Sequence, residues 1–108
     1  MKCADDWSRF PRSRFADSNS LVRQLCHITS ELCEVWVAFL LLPWRRGNGI
    51  YLLVGELMDV IHSVETALHI LAKRYDSKVV ISQTMVRTIE KNLVRGYYGS
   101  VTEKENRP

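Results

Sequence analysis

Apolar side chains recur at steps of three and four in the first half of the chain: Leu21, Val22, Leu25, Ile28, Leu32, Val35, Trp36 and Phe39. That spacing keeps one face of a helix apolar and does not suit a strand, whose faces alternate at every residue. Asp17-Ser18-Asn19-Ser20 offers side-chain oxygens to cap the first turn, and Pro43 cannot continue the helix because it lacks an amide proton. Pro43-Trp44-Arg45-Arg46-Gly47-Asn48-Gly49 reads as a connecting loop. A second helical pattern opens near Ile50, carries Leu53, Val54, Leu57, Val60, Ile61, Val64, Leu68 and Leu71, and closes near Tyr75. Asp76-Ser77 is a turn, and the short β-branched stretch Lys78-Val79-Val80-Ile81 fits either helix or strand. Ser82 is placed to cap a third helix with Met85, Val86, Ile89 and Leu93, and Gly96 to end it.

The two ends differ from this pattern. Residues 1–17 mix Trp7, Phe10 and Phe15 with Arg9, Arg12 and Arg14 around Pro11, which predicts an irregular arm. Such an arm can stack on nucleic-acid bases or pack onto a neighbouring helix or subunit. Residues 99–108 are polar and predict a frayed tail. Both long helices are apolar over a wide arc, more than three helices can cover by themselves. The expected fold is all-α: an antiparallel helical bundle whose four-helix core is completed by oligomerisation or by a short terminal helix.

Composition narrows this picture. A chain of 108 residues with 46% hydrophobic and 25% charged side chains has the make-up of one globular domain. No run of about 20 apolar residues is present, so no membrane-spanning helix is expected. The opening Met-Lys-Cys-Ala-Asp-Asp lacks the charged-then-apolar order of a secretory leader, and cytoplasmic residence is expected. The net charge of +3 is too small to argue for nucleic acid by itself. Cys26 and Cys33 lie seven apart on the first helix, roughly 10 Å along its axis and too far for a disulfide. They read as small buried side chains or, with His27 or His69, as a zinc site.

The unusual residues are acidic. Glu31 and Glu34 stand three apart on the first long helix, and Glu56 and Asp59 three apart on the second. Residues at that spacing share a face. Leu32, Val35 and Trp36 flank the first pair; Leu57, Val60 and Ile61 flank the second. Across an antiparallel hairpin the pairs fall at similar height, since Glu34 lies nine residues before Pro43 and Glu56 seven after Gly49. One such pair is an ordinary solvated face. Two pairs bordering one seam repel each other, and a hard divalent cation with oxygen ligands, magnesium or manganese, relieves the repulsion. His62 follows Asp59 by three residues and shares its face. Lys91 and Arg95, four apart on the third helix, fit either a phosphate contact or a favourable charge at a helix C-terminus.

These residues resemble the MazG-like family of all-α nucleoside triphosphate pyrophosphohydrolases, whose pattern is Glu-Glu-x-x-Glu, a spacer, then Glu-x-x-Asp. Here the elements stand as Ser30-Glu31-Leu32-Cys33-Glu34 and Glu56-Leu57-Met58-Asp59, with 21 residues between Glu34 and Glu56. The likeness runs from about Leu21 to Tyr98 and includes Arg87, Lys91, Asn92 and Arg95 in the basic third segment. It implies a helical domain over residues 18–98. It also implies that Glu31, Glu34, Glu56 and Asp59 hold Mg2+, with Mn2+ as the alternative, and carry the catalysis. Lys91, Asn92 and Arg95 would contact substrate phosphates, and His62 would support the site or line the nucleotide pocket. The implied products are a nucleoside monophosphate and pyrophosphate, and the implied assembly is a homo-oligomer, a dimer or tetramer. Ser30 departs from the family's first glutamate, although the four implied ligand positions are intact. A non-catalytic helical interaction module is the competing reading, and a nucleic-acid-binding protein a weaker third.

Overall fold

The computed structural model describes residues 7–45 and 47–99, and every regular element among them is helical. In chain order these are α1 (Phe15–Ser18), α2 (Leu21–Leu40), a single 3₁₀ turn (Leu42–Trp44), α3 (Gly49–Arg74) and α4 (Lys78–Val94). The chain divides between Ser77 and Lys78 into two compact units, the first holding α1 to α3 and the second α4. Residues 100–108 of the frayed tail expected over 99–108, and the first six residues of the expected arm, with Cys3, lie outside the described residues. No described helix is long and apolar enough to cross a membrane.

Local chemistry explains the boundaries. Ser20 caps α2: its Oγ accepts from the Arg23 amide at 3.1 Å. Pro43 sits inside the 3₁₀ turn directly after α2. Gly49 opens α3 where a Cβ would meet the Leu42 carbonyl oxygen at 3.3 Å, so the close approach favours glycine. Asp76 takes a left-handed φ of 50° between α3 and α4. α4 begins at Lys78, four residues before the expected cap at Ser82, which is an interior residue of the helix. A β-branched stretch forms a strand only beside a partner strand, and the described residues contain none.

The less exposed positions of α2 step through Leu21, Gln24, Ile28, Glu31, Val35 and Ala38. Those of α3 include Leu53, Glu56, Val60, Ser63, Ala67 and Ile70. Both series alternate steps of three and four, the seam pattern of paired helices. Gln24 marks the contact, with Nε2 donating to the Ser63 carbonyl at 2.9 Å. The apolar arc read from the sequence is therefore wider than the seam. Leu25, Leu32, Trp36 and Phe39 remain exposed, as do Leu57 and Ile61 on α3. Cys26 and Cys33 also miss the seam; both are free and exposed rather than buried.

The segment before α2 packs against the C-terminal half of α3. Glu65 receives the Ser8 hydroxyl at 3.0 Å, the Arg9 amide at 2.8 Å and the Phe10 amide at 2.9 Å. Trp7 lies against His69 with ring centroids 4.6 Å apart, and Phe10 stacks on His62 at 5.0 Å. Asp17 at the end of α1 accepts from Lys73 at 2.6 Å and Arg12 at 2.9 Å, and its carbonyl accepts from Arg74 at 2.8 Å. The described part of the arm packs on a helix of its own chain.

Candidate metal centre

Glu31 on α2 and Glu56 and Asp59 on α3 each present a carboxylate oxygen, and the three oxygens lie within 4.8 Å of one another. The seam pattern explains the meeting. Glu31 and Glu56 occupy seam positions, and Asp59 follows Glu56 by one turn on an exposed flank. His27, one turn before Glu31, places Nε2 3.2 Å from Glu31 Oε1. No other three His, Cys, Asp or Glu side chains among the described residues converge this closely. The zinc site considered for Cys26, Cys33, His27 and His69 is accordingly not formed there, because the exposed thiols point off the seam.

Electrostatics sets this group apart. Burial raises the Glu31 carboxyl above the ordinary carboxylate range, and nearby Glu34 and Asp59 raise it further against the opposing pull of His27. Glu56 is raised by burial and by Glu34 and Asp59, with Arg45 opposing more weakly. Glu34 is exposed and outside the three-oxygen group, yet it acts on both seam carboxylates. One oxygen of Glu31 and one of Glu56, the Oε2 atoms, are shut off from solvent without a hydrogen-bond partner among the described residues. Buried acceptors without donors are costly, and oxygens that repel one another are more so. Oxygen donors held together with unspent acceptor capacity could accommodate a hard cation.

The remaining sequence-derived residues fall in different places. Ser30 is exposed on α2, beside the seam rather than on it. His62 lies on α3 and stacks on Phe10; it makes no hydrogen bond to the carboxylates, and its Nε2 is buried without a partner among the described residues. Lys91 and Asn92 are on α4, and Arg95 begins the turn that follows, its amide donating to the Lys91 carbonyl at 3.1 Å. That helix is a unit of its own. Sequence reasoning missed Glu65, whose donors lie more than fifty positions away in the chain. It also missed Asn19 and Gln24, joined side chain to side chain at 2.8 Å. A polar Gln24 within an apolar helical face was the available signal.

No protein-family model, curated protein or solved structure matches this chain.

Proposed function

We propose that the chain is a divalent-metal-dependent nucleoside triphosphate pyrophosphohydrolase of the MazG-like kind, releasing a nucleoside monophosphate and pyrophosphate. The observation that carries this reading is the meeting of Glu31, Glu56 and Asp59 across two helices, with oxygens within 4.8 Å and two buried oxygens lacking donors. Glu31, Glu56 and Asp59, with Glu34 beside them, would hold Mg2+, or Mn2+ in its place. When bound, such an ion would supply charge neutralisation for the triphosphate and a more acidic water. Glu34, exposed and beside both seam carboxylates, would take a proton from the attacking water as general base, with Glu31 the alternative. Attack at the α-phosphorus breaks the bond to the bridging oxygen and frees pyrophosphate. His27 positions Glu31 through its 3.2 Å contact, and His62 supports the same region from α3.

The assembly belongs to the proposal too. An antiparallel bundle completed by a second copy would cover Trp36, Phe39 and Leu57, which now border an open apolar groove with Val35 and Leu53. The same exposed groove, together with Ser30, favours the second reading, an interaction module without turnover. Incubation with magnesium and a panel of nucleoside triphosphates separates the two. Monophosphate plus pyrophosphate from the parent and none from a folded Glu56→Ala variant supports the enzyme. Diphosphate plus orthophosphate contradicts the bond assignment. Absence of both turnover and magnesium binding leaves the interaction module.

A further inference from the structure

A cavity of about 310 Å³ opens between the N-terminal segment, the first turns of α2 and the middle of α3. That volume is at the lower end for small-molecule sites, about 300–1,000 Å³. Phe15, Asn19, Arg23, Gln24, His27 and His62 are among its walls. Two of these connect it to the carboxylates. His27 pairs with Glu31 at 3.2 Å, and His62 stands one turn beyond Asp59 on α3. Three residues are about 4.5 Å of helix rise, so along α3 a wall of the cavity adjoins the carboxylates.

The polar wall is fixed. Gln24 is almost fully buried and held at both ends, donating to the Ser63 carbonyl at 2.9 Å and accepting from Asn19 Nδ2 at 2.8 Å. Other polar groups among the lining residues are unspent. The Arg23 guanidinium makes no hydrogen bond or ion pair among the described residues, and Asn19 keeps one amide proton and its carbonyl oxygen. Free donors outnumber free acceptors. Phe15 and the His62 ring, the latter braced by Phe10 at 5.0 Å, add flat surfaces. Flat walls with a donor-rich polar edge suit a planar heterocycle bearing ring carbonyls.

We propose that this cavity binds the nucleobase of the substrate, with a carbonyl-bearing edge, as in uracil or guanine, turned toward Arg23 and Asn19. The proposal rests on the pyrophosphohydrolase reading, which supplies the neighbouring phosphate site. The N-terminal segment is then part of the specificity machinery: it carries Phe15 and, through Phe10, holds His62 in place.

The test is chemical-shift mapping of the full chain with uridine and guanosine 5′-monophosphates, with ribose 5-phosphate as the baseless control and pyrophosphate as the phosphate probe. The nucleotides are expected to move the side-chain amide signals of Asn19 and Gln24 at millimolar ligand, and the two controls to leave them in place. Arg23→Ala is expected to weaken nucleotide affinity about tenfold while magnesium and pyrophosphate affinities stay unchanged. Asn19 and Gln24 signals that do not respond to the nucleotides, or that respond equally to ribose 5-phosphate, overturn the proposal. So does unchanged nucleotide affinity in a folded Arg23→Ala. Silent amides in a chain that still hydrolyses triphosphates remove the cavity assignment alone. Responsive amides in a chain that binds no magnesium keep the cavity and remove the pyrophosphohydrolase reading.

Discussion

Two carboxylates on α3, Glu56 and Glu65, stand nine residues apart and meet opposite fates. Burial pushes both toward protonation. At Glu65 that push is outweighed by the Arg9 and Phe10 amides and the Ser8 hydroxyl, which together hold the carboxyl below its usual range. At Glu56 the neighbours are Glu34 and Asp59, so charge adds to burial and the carboxyl rises. Burial alone does not decide what a buried acid does; what decides is whether donors or other acids surround it. Glu65 is a finished structural contact that ties the N-terminal segment to α3. Glu31 and Glu56 each keep a buried oxygen without a donor among the described residues, which the proposed cation would satisfy.

The largest effect expected from this contrast is on activity. Glu56→Ala should lower pyrophosphohydrolase turnover by about a thousandfold or more, since it removes a ligand of the proposed metal. The metal-free fold should survive, because a repelled carboxylate has been removed, and circular dichroism beside a product assay checks both halves. Intact turnover in Glu56→Ala would break the contrast at its functional end.

Glu65→Ala should act in the opposite sense. It leaves the Arg9 and Phe10 amides without their acceptor and should destabilise the chain by about 2–3 kcal/mol in chemical denaturation. Glu65→Gln keeps one acceptor oxygen and should lose less.

The pH dependence sharpens the comparison. Glu65 is lowered in the folded state, so its contribution is present above the usual carboxylate value of 4.5 and is lost as pH falls through its depressed value. Glu31 and Glu56 are raised, so in the metal-free chain stability falls as pH climbs from 4.5 through their elevated values. Melting temperature followed against pH with chelator should show both limbs. Magnesium should raise it only on the neutral side, where the acids are ionised. A magnesium effect of equal size at acidic pH would contradict the assignment.

Asp17 gives the smallest effect. Lys73 and Arg12 hold it down to about 2, yet it lies at the surface, where such pairs contribute little. Asp17→Asn should shift the melting temperature least of the substitutions named here, and the shift should shrink further at high salt.

Much of this arrangement is legible in the chain itself, because it depends on local periodicity. Steps of three and four give α2 and α3, Ser20 marks the start of α2, and the spacing of Glu31, Glu56 and Asp59 anticipates their meeting. Glu65 is not legible. In Val64-Glu65-Thr66-Ala67 it looks like any helical glutamate, and the backbone donors that satisfy it carry no side-chain signature. The exposure of Cys26 and Cys33 is hidden for a related reason: an apolar arc wider than the seam does not say which part faces the neighbouring helix. The start of α4 is missed because β-branching is only a weak preference for strand when no partner strand is near.

The most direct test of the central claim is calorimetric titration of the metal-free chain with Mn2+ and Mg2+ at neutral pH, run beside Glu56→Ala. The expected result is saturable binding by the parent that is lost in the folded variant. Failure of the parent to bind either ion at millimolar concentration, or equal binding by Glu56→Ala, would contradict the account.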